Sequence, residues 1–350
     1  MGSGSGSGMV DQGSSARDSW ATVVGIDEAG YGPLLGPLVV SAVAFDVPVS
    51  FLKSLPDPAA GPDFWALLRA SVARKPGRRE HRLAVADSKK LHSRSAEGSN
   101  LTLLERAALT FLGVAGCTPG DLSALLARIC PEVADKLAEY PWYAGTDLAL
   151  PVAVEPTGLA TQRNALAGDL RQAGIRFRGT WSEVLPEGHY NRLVGATHNK
   201  AVVLFGRTIR LVQRIAEDLG PRPLGIWVDR QGGRTGYRRP LMTAYPDARF
   251  EVLEESPERS GYRLAHRSAT WVIRFVQKGE DHHLPVALAS IFSKYLRELL
   301  MVCFNRYWCA QVPGLRPTAG YYQDGQRFLA DIGAAVNRLH VDRQSLVRML

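Results

Sequence analysis

Two apolar runs near the start of the chain predict a β-hairpin. Ala21–Ile26 and Leu38–Phe45 both have the β-branched and apolar character that is typical of buried strands. The segment between them is rich in residues that form turns, namely Gly30, Gly32, Pro33, Gly36 and Pro37. We therefore expect two paired strands joined by a glycine-rich turn.

The rest of the chain alternates between helical and extended patterns. Apolar residues at helical spacing predict helices over 64–72, 100–113, 191–219, 284–308 and 324–332. Short apolar runs predict further strands over 175–184, 224–228 and 250–254. Helical patches without a chemical motif lie at 121–130, 133–140 and 159–174. Two paired strands come first, and helices separate the strands that follow. This order indicates a three-layer α/β domain.

Composition limits the classes to which this protein can belong. Apolar residues make up 45% of the 350 residues, which is enough for a buried core, and no apolar run reaches the roughly 20 residues of a membrane helix. Residues 1–9 read as an expression tag, and we expect a tag and disordered N-terminus over 1–19. The cysteines show no CxxC pair or zinc-like spacing, so we expect thiols in a reducing cytoplasm, at Cys117, Cys130, Cys303 and Cys309.

The charge balance is basic. The chain has 42 lysines and arginines against 34 acidic residues, a formal net charge of +8, and arginine greatly outnumbers lysine. A basic protein is suited to a polyanionic partner such as nucleic acid. The same excess of arginine can also reflect the base composition of a genome, so charge alone leaves both interpretations open.

Three acidic residues follow apolar strands. Asp27 and Glu28 end the first predicted strand, and Asp229 ends the strand that begins at Leu224. Active sites of α/β sheets gather at strand ends, where the strand fixes the backbone of each side chain. These residues are therefore candidate metal ligands, and the alternative is that each is an ordinary turn residue.

Glu298 is a fourth candidate because of its place on the long predicted helix. Ser290, Lys294 and Glu298 are four residues apart and form one polar stripe on an otherwise apolar helix. A surface ion pair between Lys294 and Glu298 is one explanation. If the helix is buried, however, the stripe needs a partner or a metal ion. Clustered carboxylates bind Mg²⁺ or Mn²⁺, and no Cys/His cluster competes as a zinc site, since His282-His283 is interpreted as structural.

Two motifs resemble the type II and type III ribonucleases H. The first is Gly25-Ile-Asp-Glu-Ala-Gly-Tyr-Gly-Pro-Leu-Leu-Gly-Pro-Leu-Val-Val40, and the second is Asp87-Ser-Lys-Lys-Leu91. Further segments are similar to the type III branch: Tyr190-Asn191, Thr197-His-Asn-Lys-Ala201, Val228-Asp-Arg-Gln231, and the run from Lys278-Gly-Glu280 to His283-Leu-Pro-Val-Ala-Leu-Ala-Ser-Ile291. The resemblance covers roughly 20–113 and 175–340, and it leaves about 114–174 as a helical insertion that either contacts substrate or only covers the sheet.

The resemblance implies both a fold and a function. It implies one ribonuclease H-like catalytic domain over 20–350 with a five-stranded mixed sheet between helices. It also implies that Asp27, Glu28, Asp229 and Glu298 hold Mg²⁺ or Mn²⁺ for endonucleolytic cleavage of the RNA strand of RNA–DNA hybrids, leaving 5′-phosphates. Two alternatives stay open: a hybrid-binding protein with little catalysis, and a nuclease specific for single ribonucleotides in duplex DNA.

Candidate substrate contacts come from the motifs and from a basic loop after Asp229. Arginine binds phosphate through two parallel hydrogen bonds, although a solvated loop would have the same composition. Tyr31 departs from the arginine of type II enzymes and from the small residue of type III, and it either stacks on substrate or packs internally. The predicted contact residues are Gly30, Tyr31, Gly32, Ser88, Lys89, Asn199, Lys200, Arg230, Arg234, Lys294 and Tyr321, with Arg238 and Arg239 in the same basic loop.

Overall fold

The computed structural model describes residues 20–53, 61–75, 77, 81–95, 98–144, 147–266 and 268–349. The predicted tag and disordered N-terminus over 1–19 lie outside these residues. A domain that spans 20–350 stays a prediction.

A seven-stranded mixed sheet forms the centre of the fold. Its strands are β1 (Trp20–Ala29), β2 (Leu38–Pro48), β3 (Arg176–Leu185), β4 (Leu224–Asp229), β5 (Arg249–Glu255), β6 (Arg259–His266) and β7 (Ala269–Val276). Their order across the sheet is β3-β2-β1-β4-β7-β6-β5. β1 pairs with β2 as the predicted hairpin, and it runs parallel to β4, which in turn runs parallel to β7.

The prediction of five strands is wrong because β6 and β7 were not recognised from the sequence. β6 carries arginine on its exposed face, so it lacks the continuous apolar run that indicates a strand. Its arginines are neutralised across the sheet by β5, where Arg263 Nη1 lies 2.5 Å from Glu251 Oε2 and Arg259 Nε lies 2.7 Å from Glu254 Oε2. Such cross-strand pairs stabilise a strand, but sequence spacing does not show them.

The helices cover both faces of the sheet. In chain order they are α1 (Val49–Lys53), α2 (Phe64–Leu67), α3 (Ser88–Leu91), α4 (Thr102–Val114), α5 (Leu122–Ile129), α6 (Ala134–Ala138), α7 (Pro156–Gln172), α8 (Glu187–Thr197), α9 (Lys200–Leu219), α10 (Arg238–Ala244), α11 (Gly279–His282), α12 (Leu284–Gln311), α13 (Tyr322–Arg338) and α14 (Arg343–Leu346). α12 and α4 belong to the core on one face, and α9 belongs to the core on the other. Neighbouring residues of β1 alternate between these cores, as Val23 and Val24 do, which confirms the three-layer prediction.

The start of α12 lies directly against β1. A Cβ atom at Gly25 would lie 2.1 Å from the carbonyl carbon of Pro285 and 2.3 Å from the nitrogen of Val286, so a side chain cannot fit there. Glycine at this position therefore lets the helix approach the strand two residues before Asp27. Ser293 Oγ then donates a hydrogen bond of 2.9 Å to the backbone oxygen of Asp27.

The helix predicted over 191–219 is in fact two helices, α8 and α9. His198 has a left-handed backbone (φ 49°), and the Asn199 side chain accepts hydrogen bonds from the N–H groups of Ala201 at 2.9 Å and Val202 at 3.3 Å. Asparagine caps of this kind compete with continuation of a helix. The helix predicted over 64–72 is likewise shorter, because only Phe64–Leu67 is helical.

The segment over 114–174 packs on the helical layer that contains α12 and α4. Buried Glu105 of α4 accepts hydrogen bonds from the N–H groups of Val152, Ala153 and Val154 and from the Tyr295 hydroxyl, at 2.5–3.0 Å. One carboxylate thus joins the segment to α4 and α12. A role of this segment in substrate binding stays a prediction.

The four cysteines are free thiols, as their spacing predicted. Across the described residues, none of the helices has the length and apolar character required to cross a bilayer.

Candidate active site

Parallel pairing brings the three strand-end acids to one edge of the sheet. Ile26 of β1 is paired with Val228 of β4, so the residues that follow them, Asp27 and Asp229, occupy equivalent places on neighbouring strands. Glu28 comes directly after Asp27, whose Oδ1 accepts the Glu28 N–H at 2.7 Å. The structure therefore places together three of the four acids that the sequence singled out.

Glu280 is the fourth carboxyl group of this cluster, and it was not among the residues predicted for the site. β7 pairs with β4 through Val276 and Asp229, and Gly279 then donates its N–H to Asp229 Oδ1 at 2.8 Å. Glu280 is the next residue, and its carboxyl group lies close enough to Asp229 to raise the pKa of that side chain. The signal was present in the Lys278-Gly-Glu280 segment, which resembles the Lys-Ala-Glu of type III enzymes.

Burial and mutual repulsion raise the pKa of the acids in this cluster. For Asp27, Glu28 and Asp229, burial is the largest cause of the raised pKa, and a neighbouring carboxylate is the second. The pKa of Asp27 lies well above its usual range because of burial and Glu28. The pKa of Glu28 rises to about 8 through burial and Asp229, and that of Asp229 rises to about 8 through burial and Asp27. Glu280 adds repulsion to all three, so the cluster holds more negative charge than its surroundings neutralise.

The second motif supplies a cation and a hydroxyl group beside the acids. The Lys89 charge lowers the pKa of Glu28, and it interacts favourably with Asp27 and Asp229. Ser88 Oγ lies 2.9 Å from Ser290 Oγ, and Ser290 hydrogen-bonds the Asp27 side chain. The structure therefore brings Ser88 and Lys89 to the candidate site.

Glu298 does not join the other acids. It lies eight residues beyond Ser290 on α12, about 12 Å along the helix axis. Its Oε1 atom accepts from Lys294 Nζ at 2.7 Å and from Arg297 Nη1 at 3.4 Å, and its Oε2 atom lies 3.7 Å from His92 Nε2. Its charge is not among the leading causes of the pKa shifts of Asp27, Glu28 or Asp229. That Glu298 is the fourth ligand stays a prediction, and in this structure its carboxylate is paired with Lys294 and Arg297.

Lys294 stays a predicted substrate contact, although it is buried within the protein. Only 8% of its surface is exposed, and its ammonium group donates to Glu298. The sequence suggested a surface pair between these two residues, but both are buried, because α12 is covered on all sides along this stretch.

The glycine turn after Glu28 lies beside the acid cluster. Gly30 has a φ of 87°, and a Cβ atom there would lie 2.4 Å from the oxygen of Pro37. A Cβ atom at Gly32 would meet no atom within 4 Å. The backbone conformation therefore requires glycine at position 30. At Gly32, the absence of a side chain leaves the backbone open to close approach by a ligand.

Two of the predicted basic contacts lie near Tyr31. Lys200 Nζ lies 5.3 Å from the ring centroid. Burial raises the pKa of Tyr31, as do the charges of Tyr190 and Glu28, whereas Arg234 lowers it. Asn199 stands next to Lys200, and its side-chain oxygen caps α9. The structure thus joins Tyr31, Lys200 and Arg234 into one basic and aromatic surface.

The remaining predicted contacts lie around this surface. Arg230 donates a hydrogen bond to the backbone oxygen of Pro257, so it is held at the edge of the loop. Arg238 and Arg239 are exposed at the start of α10. Tyr321 is 49% exposed, and its ring lies 5.9 Å from the guanidinium carbon of Arg297.

The acid cluster matches a divalent cation in its donor chemistry. Carboxylate oxygens are the preferred ligands of Mg²⁺ and Mn²⁺. Oε2 of Glu280 is buried and lacks a hydrogen-bond partner among the described residues, an acceptor position that a cation would satisfy. Among the residues that the structure describes, no group of three or more His, Cys, Asp or Glu side chains could hold a metal ion in the present arrangement. The side chains would therefore have to turn toward an ion.

Solved structures of ribonucleases HII and HIII are similar to this chain. The ribonuclease HII of Archaeoglobus fulgidus, solved in a complex with PCNA, has 15% sequence identity and a TM-score of 0.40 over 94% of each chain. Ribonuclease H2 from Pyrococcus horikoshii OT3 has 12% identity and a TM-score of 0.40 over 93% of this chain and 92% of that one. Bst-RNase HIII, solved with Mn²⁺, has 14% identity and a TM-score of 0.40 over 95% of this chain and 68% of that one.

These similarities concern the fold and not the activity. Types II and III occur at the same TM-score, so the expected closeness to type III stays a prediction. No protein-family model matches the chain, and no curated protein sequence matches it.

Proposed function

We propose that this protein is an endonuclease that hydrolyses the RNA strand of RNA–DNA hybrids. The observation that supports this most is the cluster of Asp27, Glu28, Asp229 and Glu280 at one sheet edge, beside an open glycine turn. Buried carboxylates that repel one another are kept together at a cost in stability. A metal-dependent reaction at a phosphodiester needs such a cluster, because the bound cation would offset the repulsion that lowers stability.

The four carboxylates would hold Mg²⁺ or Mn²⁺. Two such ions, when bound, activate a water molecule for attack on phosphorus and neutralise charge on the leaving 3′-oxygen. Glu280 replaces Glu298 in this assignment, because Glu280 lies with the other acids and Glu298 lies among cations.

The surrounding residues would bind and orient the hybrid. Lys89 stands beside the acids and is suited to a phosphate that approaches them. Lys200, over the Tyr31 ring, and Arg234, over the rings of Phe205 and Tyr237, would contact the nucleic-acid backbone. The open backbone at Gly32 allows the close approach that recognition of a ribose 2′-hydroxyl requires.

A cleavage panel tests this proposal. The substrates are a continuous RNA–DNA hybrid, duplex DNA with one ribonucleotide, plain duplex DNA and double-stranded RNA, each with Mg²⁺, with Mn²⁺ and with excess chelator. We expect metal-dependent cleavage of the continuous hybrid, faster than of the single ribonucleotide, with 5′-phosphate products. Preference for the single ribonucleotide would favour the alternative substrate, and tight hybrid binding without cleavage would favour the binding protein. Cleavage that persists in excess chelator would exclude the metal mechanism.

Two further predictions stay with this proposal. The protein is expected to act in the cytoplasm, and its substrates are RNA–DNA hybrids or ribonucleotide-containing DNA. Cell fractionation and recovery of bound nucleic acid test both.

A further inference from the structure

The C-terminal segment Asp342–Met349 is held against α8 by one asparagine. Asn191 Nδ2 donates to the backbone oxygens of Gln344 and Val347, each at 2.7 Å, and its Oδ1 accepts the N–H of Met349 at 2.7 Å. Leu346 is buried beneath the segment. The hydrogen-bonding capacity of the Asn191 side chain is thus largely used on the last residues of the chain.

Arg348 extends from this segment to the glycine turn. It is 2% exposed, and its own N–H donates to the backbone oxygen of Leu34 at 3.0 Å. Its guanidinium donates to the backbone oxygen of Gly30 and, at 3.3 Å, to that of Tyr31. The guanidinium carbon lies 4.0 Å from the centroid of the buried Tyr190 ring. One arginine therefore contacts two consecutive peptide groups of the turn.

Contact with these two carbonyl groups also sets the direction of two N–H groups. In a planar trans peptide the C=O and N–H bonds point in opposite directions. Binding of the Gly30 and Tyr31 oxygens to Arg348 therefore turns the N–H groups of Tyr31 and Gly32 to the other side of the turn. Neither N–H donates to a backbone or side-chain acceptor within the residues that the structure describes.

We propose that Arg348 is a positioning residue that orients the Tyr31 and Gly32 N–H groups for the ribose of the substrate. This inference rests on the proposed function, and it assigns to the C-terminal segment a role in the discrimination between RNA and DNA. A guanidinium is suited to this task because its fixed fork can hold two neighbouring carbonyl groups.

The test compares Arg348→Met and Arg348→Lys with two controls. Arg343→Met removes the same charge from an exposed site on the same segment. Ile332→Val loosens the buried face of α13 without contact to the turn, and it serves as a control for lost stability. Affinity for a continuous hybrid and for duplex DNA of equal length is measured by fluorescence anisotropy in chelator, below the unfolding temperature of every variant.

We expect Arg348→Met to reduce the preference for hybrid over DNA by about tenfold, since charged hydrogen bonds that hold the turn are lost. Arg348→Lys should restore part of the preference, because an ammonium can reach one carbonyl. Arg343→Met should weaken both affinities equally. An unchanged preference in Arg348→Met, or a loss matched by Ile332→Val, would overturn the proposal.

A second measurement separates this inference from the proposed function. Amide hydrogen exchange at Leu34 and Leu35 of the free protein, whose N–H groups donate to the oxygen of Gly320, should become faster in Arg348→Met and stay unchanged in Ile332→Val. If the wild-type protein does not prefer hybrid to DNA, the proposed function fails, whereas the exchange data still decide whether Arg348 holds the turn. Unchanged exchange in Arg348→Met would refute the positioning role.

Discussion

The carboxyl group of Glu280 lies beside that of Asp229 and raises its pKa by like-charge repulsion, and the pairing of β7 with β4 brings the two residues together. Two carboxyl groups at this distance repel each other when both are ionised. In the absence of a cation, the site therefore lowers the stability of the folded protein.

The first prediction follows from this repulsion. Glu280→Gln should raise the free energy of unfolding in chelator by about 0.5–2 kcal/mol, because it removes one negative charge from a crowded cluster. Addition of Mn²⁺ should stabilise the wild-type protein more than the variant. Chemical unfolding with and without Mn²⁺ measures both effects, and a variant less stable than wild type in chelator would argue against repulsion.

Glu298→Gln should have the opposite effect on stability. Glu298 is a buried partner of Lys294 and Arg297, so its neutralisation leaves buried cations without their counter-charge. We expect a loss of about 3–5 kcal/mol in the free energy of unfolding. The double variant with Lys294→Met should recover part of the loss. A single variant as stable as wild type would contradict a structural role for this pair.

Two glycines of the turn should respond differently to a methyl group. Gly30→Ala should destabilise the fold by about 1–3 kcal/mol, since φ is positive and the Cβ atom would collide with Pro37. Gly32→Ala should leave stability nearly unchanged but weaken hybrid binding, because its Cβ atom would enter the open space. Thermal unfolding and hybrid affinity are the two measurements. Equal stability losses would show that both positions are structural.

Glu187 should make stability depend on pH. Burial raises its pKa from 4.5 to about 7, although it accepts hydrogen bonds from the N–H of Gly36 and the hydroxyl of Tyr143. The folded state therefore binds this proton more tightly than the unfolded state. The resulting stability is fully present below pH 4.5 and is lost as pH rises through about 7, by about 3 kcal/mol at most.

Glu187→Gln provides the control for this pH dependence, because its neutral amide mimics the protonated acid. Urea unfolding at pH 5 and at pH 8 should show a smaller fall in stability for the variant than for wild type. An identical fall in both proteins would exclude Glu187 as its source.

The loop after Asp229 should bind the nucleic-acid backbone rather than a base sequence. Replacement of Arg234 and Arg238 by alanine should weaken binding about equally for all hybrid sequences. The slope of log affinity against log salt should shrink by about 1–2 if both arginines contact phosphate. Arg338→Ala with Arg343→Ala removes the same charge from other exposed sites and should leave the slope unchanged. An unchanged slope in the first variant would mean that its loop is only solvated.

The sequence predicted the local part of the site and not the part that depends on strand pairing. Asp27 and Glu28 follow an apolar strand within one motif, so their place at a sheet edge could be read directly. Glu280 reaches them only because β7 is parallel to β4 and because Lys278 adopts a left-handed backbone after that strand. Neither feature has a clear signal in the residues themselves.

The surroundings of Glu298 could not be predicted, because sequence spacing gives a helix face but not what that face contacts. The spacing of Lys294 and Glu298 left a surface ion pair open as one explanation, and the structure forms the pair in a buried position. The contact of Glu298 with Arg297 joins neighbours on α12, whereas its contact with His92 depends on how the segment that follows the second motif packs on α12. The strands β6 and β7 were missed although they pair with each other as neighbours in sequence. Exposed arginine hides the strand pattern of β6, whereas the Trp271–Val276 run of β7 does carry a strand pattern.

The assignment of the fourth acid is tested most directly by the rate at which the Glu280→Gln and Glu298→Gln variants cleave a continuous RNA–DNA hybrid. The assay contains Mg²⁺ or Mn²⁺. Both variants are assayed below their unfolding temperatures and beside the wild-type protein. The account predicts that Glu280→Gln loses at least about 100-fold in turnover while it still binds hybrid, and that folded Glu298→Gln stays within a few-fold of wild type. Near-wild-type turnover of Glu280→Gln, together with loss of turnover in Glu298→Gln, would contradict it.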